Sequence, residues 1–398
     1  MKKRLLIVVD HLLQHGAERY TYELCKAIDK EEFEVTVLSL NKLHEANNYY
    51  GPLLRQLNVN VIDYDRESVF RVFNNRWLGD IVKKLIGITK LIGKDIGRQL
   101  QHRLLHKILN QYQVIALMKI ENFNTYQEVF AEYKNLVIHL LSTKPQYPVN
   151  PYINLPARNY NFVILSGDQK AHVLGTDFTA PVNKGQLQFH ELPLFMDLTG
   201  RYNNYLQKET EEPVIGIFSR ISMDQPTIIM LVAFSLVIKR YPNAKLLFFG
   251  ACYEQYVQDF FMLNCEILKM QNNVKFMGHV PDLKEAIVTN KISLAWMNIS
   301  GDAMGYSSIE ILSYGLPAVF FDVSVSGDTT TGLVVENRKL CFKDIEEFLE
   351  ITATVLANHQ EREKLSKILY KYVHAKYEVD GNRIEELQQL YSSLVAGV

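Results

Sequence analysis

The chain has 398 residues, 47% hydrophobic and 22% charged, with 43 Lys and Arg against 44 Asp and Glu. That length allows two or three cores and makes two domains the first expectation, while the near-neutral balance excludes a nucleic-acid binder working through bulk charge. The four cysteines, Cys25, Cys252, Cys265 and Cys341, form no CxxC pair and no ligand-like spacing, which points to free thiols in a reducing compartment and away from zinc.

The opening MKKRLLIVVD has a basic head, but its apolar run, Leu5 to Val9, is cut by Asp10 and is too short for a signal-peptide core. It is expected to form a first buried strand, followed by a helix in which Ala17, Tyr20, Leu24, Ala27 and Ile28 recur at three- and four-residue spacing. Further strands are expected at 33–40 (FEVTVLSL), 59–65 (VNVIDYD), 113–117 (QVIAL) and 135–141 (NLVIHLL). The same alternation restarts at 213–218 (PVIGIF) and runs through a helix from about Thr227 to Arg240, a strand at 244–250, a helix in YEQYVQDFFMLNCEILKM, and strands at 273–278, 292–298 and 317–323. Phe342 to Val398 is mostly helical in pattern. No apolar run reaches the ~20 residues of a membrane-spanning helix, and a cytoplasmic protein is expected.

Strand and helix in alternation predict parallel sheets covered on both faces. The fold class expected is therefore α/β, with two Rossmann-like doubly wound domains. The polar stretch RYNNYLQKETEEP, near 198–212, reads as a linker. The expected division is 1–200 and 201–370 for the two doubly wound domains, with 371–398 as closing helices. In open parallel sheets ligands bind beyond the carboxyl ends of the strands, so two such domains should present a cleft between them.

The stretch GDAMGYSSIEILSYGLPAVFFD, residues 301–322, sets Asp302 and Glu310 around a helix start marked by Gly305, Tyr306, Ser307 and Ser308. Free amides at a helix N-terminus suit a phosphate. A phosphate, a polyol and two carboxylates fit together as a nucleotide sugar. On the plainer reading Gly305 shapes a loop, a serine caps the helix, and both acids are solvated.

The chain resembles the GT-B-fold retaining glycosyltransferases, the large family that includes sucrose, glycogen and lipopolysaccharide-type transferases. In that family a Glu, seven residues and a second Glu precede a small-residue helix and a G-x-P-V strand; here the series is Asp302, seven residues, Glu310, then ILSYGLPAVFF. The resemblance implies that Glu310 binds the donor ribose, Asp302 faces the donor sugar, and the turn Gly305, Tyr306, Ser307, Ser308 holds the diphosphate. HLLQHGAERYTYELCKAI resembles the amino-terminal GGAE loop, with Gly16 and Glu18 matching. FSRISMDQP resembles the GRLxxxKG segment, which makes Arg220 the diphosphate arginine and Gln225 the counterpart of the family's lysine. NVKFMGHVPDLKEAI resembles the loop cupping the base, at Gly278, His279 and Val280. ELPLFMD resembles the strand entering the interdomain linker, and YKYVHAKYEVDGNRIEELQQLY the closing helices.

His139 is a loose match to a histidine directed at the donor sugar, and the catalytic set implied is Asp302, His139 and Arg220. A histidine flanked by Val137, Ile138, Leu140 and Leu141 also fits a packed interior. The resemblance implies a UDP- or GDP-sugar donor, a glycan, lipid-linked or protein acceptor, retention of configuration, no cofactor and no metal. Gln225 for lysine, Asp302 for glutamate and His15 for the first glycine depart from the pattern. They leave open an inactive relative that binds a glycan or partner enzyme. Residues 66–107 carry ten Lys and Arg against three acids. Ile81, Leu85, Ile88, Ile92 and Ile96 form a stripe there opposite Lys83, Lys90, Lys94 and Arg98, so an amphipathic basic helix on an anionic membrane surface is expected, or one simply packed on its own domain.

Overall fold

The computed structural model describes residues 2–64, 96–141, 150–201, 212–222, 227–252, 254–299, 304–322 and 333–396. The chain divides into two compact units: Met1–Phe195 with Val379–Val398, and Met196–Glu378.

The first unit is built on seven parallel strands: β1 (Lys3–Val9), β2 (Phe33–Ser39), β3 (Asn60–Asp63), β4 (Val114–Met118), β5 (Leu136–Leu140), β6 (Tyr160–Ile164) and β7 (Leu187–Glu191), in the order β3-β2-β1-β4-β5-β6-β7. Leu5 to Val9 on β1 are almost fully enclosed because helices cover both sheet faces, which is why the strand is a continuous apolar run and does not alternate. Strands β6 and β7 lie beyond those expected from the sequence. Helix Gly381–Ala396 belongs to this unit: Tyr391 packs edge-on to Phe33 at 6.2 Å, and Gln388 accepts the Asp29 amide at 2.6 Å.

In the second unit the strands are β8 (Val214–Ile217), β9 (Lys245–Phe249), β10 (Val274–Gly278), β11 (Leu294–Ile299), β12 (Ala318–Asp322) and β15 (Cys341–Phe342), in the order β10-β9-β8-β11-β12-β15, also parallel. A short antiparallel hairpin, β13 (Val334–Val335) and β14 (Arg338–Lys339), precedes β15. Trp296 on β11 is fully buried against Phe234 and Phe348, and its indole N–H donates to Thr352 Oγ1 at 3.1 Å. The polar end of the ring is thereby satisfied inside the core.

Both sheets are doubly wound. Strand order reverses between β1 and β4 in the first unit and between β8 and β11 in the second. All four cysteines are free, as expected. Of the basic segment, residues 66–95, with all of the stripe but Ile96, fall outside the described residues. Helix Ile96–Leu109 seats Leu105 and Leu109 in the core, while Arg98 and His102 pair with Glu128 at 3.1 and 3.4 Å. Among the described residues no helix is long and apolar enough to cross a membrane.

Candidate functional site

The crevice at a reversal of strand order is where an open parallel sheet receives a ligand. In the second unit that crevice is bordered by the chain leaving β8 and the chain leaving β11. After β8, Phe218 to Ser222 is stitched to the neighbouring strand end by the Ile221 amide, which donates to Ala251 O at 3.0 Å, and that strand end is tied in turn to β10 by the Gly250 amide, which donates to Gly278 O at 2.9 Å. Gly250 is required by this closeness, because a Cβ there would stand 1.9 Å from the Ser219 carbonyl oxygen and 3.0 Å from Arg220 Cα. The strand end therefore fixes the backbone that carries Arg220. At the end of β10, Gly278 has φ +72, a left-handed conformation that glycine adopts freely, and it turns the chain into exposed His279 and half-buried Val280.

After β11, helix Tyr306–Ser313 starts from Gly305, whose backbone is extended (φ −78, ψ 165) and which offers no side chain to cap the first turn. Among the described residues no side chain caps that first turn, in which Ser307 is half-buried and Tyr306 and Ser308 are buried. Glu310, one turn in, meets Arg201 at 3.5 Å, and the Arg201 guanidinium lies 5.7 Å from the Tyr314 ring centroid. Asn298, near the end of β11, has a buried Oδ1 with no hydrogen-bond partner among the described residues. Sequence reasoning missed Arg201, Gly250 and Asn298. Asp302 and Gln225 lie outside the described residues.

The reversal in the first unit gathers a second polar cluster. Asp10 and His11 follow β1, His15 and Glu18 border helix Gly16–Ala27, and Lys119 follows β4. The Lys119 ammonium donates to both Asp10 oxygens at 3.2 Å and to Glu18 Oε1 at 3.4 Å; His11 meets Glu18 at 3.3 Å and Asp10 at 3.4 Å. Lys119 adopts φ +70, unusual for a side-chain-bearing residue, with its amide donating to His139 O at 2.9 Å. Burial pushes the Glu18 carboxyl up to about 7 against the attraction of Lys119. Burial also acts to raise Asp10, but Lys119 and His11 outweigh it and hold that carboxyl below its ordinary value.

His11, His15 and Glu18 bring three potential ligand atoms within 4.8 Å of one another, a donor set suited to a divalent cation. Lys119 already sets a cation against the carboxylates, so the cluster neutralises its own charge. Of its members, the sequence had marked His15, Gly16 and Glu18 but neither Asp10, His11 nor Lys119. A Cβ on Gly16 would meet nothing within 4 Å.

His139 stands apart from the expected catalytic set. It is fully buried, with Nδ1 at 3.1 Å from Tyr20 Oη and Nε2 at 2.8 Å from Tyr391 Oη, and desolvation pushes its pKa down to about 3. This is the environment of a neutral histidine that ties β5 to helices Gly16–Ala27 and Gly381–Ala396.

Two doubly wound units of this topology, each with its polar crevice at the strand reversal, define the GT-B architecture. Residues 212–358 match the family described as Glycosyl transferases group 1, and the two units together have the fold of the GT-B glycosyltransferases. A poly(glycerol-phosphate) alpha-glucosyltransferase of Bacillus subtilis (strain 168) is 27% identical over 258 residues, 62% of this chain but 31% of that protein, so the match spans under a third of the relative. Among solved structures, Anabaena HepE in complex with UDP and glucose aligns with a TM-score of 0.69 at 14% identity, over 98% of this chain and all of that one. TarM aligns at 0.70 and 11%, over 98% and 99% of the two chains. Sucrose-phosphate synthase of Thermosynechococcus elongatus aligns at 0.64 and 14%, over the whole of both.

Proposed function

We propose that the chain transfers a sugar from a nucleoside-diphosphate sugar with retention of anomeric configuration, holding the nucleotide at the carboxyl edge of the second sheet. The observation that carries this reading is the β8/β11 crevice, where Arg220 follows one strand and the uncapped turn at Gly305 follows the other. In it the Arg220 guanidinium and the amides of Tyr306, Ser307 and Ser308 neutralise the diphosphate as it leaves. Glu310 accepts the ribose hydroxyls, the Gly278–Val280 turn lies along the base, and Asp302 accepts hydroxyls of the donor sugar.

UDP-glucose is the first donor to test. HepE has been solved with UDP-glucose, and the Bacillus relative is named for glucosyl transfer. That relative's acceptor is an anionic polymer by name, and the basic segment 66–107 suits either an anionic acceptor or an anionic membrane surface on the cytoplasmic side. Incubation of the chain with UDP-glucose and a panel of glycans and glycerol-phosphate polymers, followed by proton NMR of the product, tests the reading. UDP release with an α-linked product supports it. Nucleotide binding without turnover would favour the second reading, a transferase-like binding subunit, which the replacements at Gln225 and Asp302 support.

A further inference from the structure

Helices Thr227–Arg240 and Gln255–Ile267 follow β8 and β9 and pack side by side, both on the face where right-handed crossovers bring them. From Thr227 to Ile238 the first helix has no charged side chain. Ile229, Val232 and Leu236, at i, i+3 and i+7, form its outward stripe. On the second helix Tyr256, Phe260, Leu263 and Ile267 do the same, with Met262 beside them. These eight side chains are 37% to 67% exposed. A helix apolar on all sides is built for burial, yet the outward stripe of this one is left exposed.

At about 180 Å² for a large side chain, the patch offers on the order of 700 Å². That is beyond what monomers usually expose and close to the about 800 Å² that each partner gives a standard interface. Charge is arranged along it with polarity. Exposed Glu254 and Asp259 lie at the amino-terminal end of the helix pair, and exposed Lys239, Arg240 and Lys269 at the carboxyl-terminal end, with Glu266 beside them. A two-fold axis across the patch sets two copies antiparallel, so the acidic end of each meets the basic end of the other. An anionic membrane would be repelled by the acidic end, whereas a second copy satisfies both ends at once.

We propose that this face is a self-complementary interface, on which two copies of the chain pair through their helices Thr227–Arg240 and Gln255–Ile267 into an antiparallel four-helix layer. The patch lies on the helices, away from the residues assigned to donor binding, so the inference stands or falls independently of the enzymatic reading.

Sedimentation equilibrium of the full chain up to about 100 µM tests it, since an interface of this size should hold a dimer well below that concentration. The wild type is expected to be dimeric. Leu263→Glu with Ile267→Glu should be monomeric with an unchanged circular-dichroism spectrum, because both side chains are exposed in the single chain. Lys239→Glu with Arg240→Glu should weaken the dimer at least tenfold, and adding Glu254→Lys with Asp259→Lys should restore it. A monomeric wild type at the highest concentration overturns the proposal, as does a dimer indifferent to both sets of substitutions. Binding to anionic vesicles that the Leu263 and Ile267 substitutions abolish, with no dimer in solution, would assign the face to lipid and overturn it equally.

Discussion

Arg201 Nη1 lies 3.5 Å from Glu310 Oε1, and each side chain is only 23% exposed. The pair joins the residue at the end of the first stretch of the second unit to the carboxylate assigned to the donor ribose. A half-buried acid is held in one position by a cation that also rests on the Tyr314 ring. Glu310 is thus preorganised, and the cost of holding its charge out of water is met partly by Arg201.

Replacing Arg201 by Leu should therefore expose that dependence. The uncompensated carboxylate should cost about 1–2 kcal/mol of stability and weaken UDP binding by a smaller factor than loss of Glu310 itself. Denaturant unfolding and calorimetry on the same variant separate the two effects. A variant with wild-type stability would mean that the pair is a solvated contact.

Gly250→Ala forces a methyl group toward the Ser219 carbonyl, where an ideal Cβ would lie at 1.9 Å. Backbone cannot give way as a flexible side chain can, so a loss of about 2–3 kcal/mol is expected. UDP binding should weaken in the surviving fold, because the segment displaced is the one carrying Arg220. Thermal melts and UDP titration check both, and neutral behaviour would show that the 218–222 segment relaxes freely.

For Glu18 the sign follows from a raised folded pKa. The unfolded carboxyl ionises near 4.5 and the folded one near 7, so across that interval the folded protein binds more protons and this group's contribution falls as pH rises. Glu18→Gln removes the titration. The stability difference between variant and wild type should move in the variant's favour by on the order of 2 kcal/mol from pH 5 to pH 8. His11 titrates nearby but is present in both proteins. A difference independent of pH would contradict the buried, raised carboxyl.

His139→Ala should behave as a structural lesion. It leaves a cavity and two tyrosine hydroxyls, Tyr20 and Tyr391, without their partner, at about 3–5 kcal/mol. Because the folded pKa is depressed to about 3, the wild type itself should lose stability as pH falls below the ordinary histidine value of 6.5. Hydrogen exchange should show helix Gly381–Ala396 loosening in the variant. Turnover lost at full stability would return His139 to the chemistry.

Sequence periodicity was enough to find the sheets, since LLIVV at 5–9 and PAVFF at 317–321 are uninterrupted apolar runs of the length a buried parallel strand needs. Strand β7, LQFHE, escaped because an edge strand exposed on one side lacks such a run. Motif spacing singled out Arg220, Gly305 and Glu310 as candidates, because each sits in a short run whose pattern can be read along the chain. It could not find Arg201, whose partner Glu310 lies over a hundred residues away, nor Lys119, whose role comes from β4 lying beside β1. His139 was read in its local apolar setting, but its two hydrogen bonds come from Tyr20 and Tyr391, at opposite ends of the chain.

Calorimetric titration of UDP into the wild type and Glu310→Ala tests the central claim most directly. The donor account predicts saturable one-site binding by the wild type and a 10- to 100-fold loss in a folded variant, about 1.5–3 kcal/mol for hydrogen bonds to a charged acceptor. Equal affinity in the two proteins, or no binding of UDP or GDP by the wild type, would contradict it.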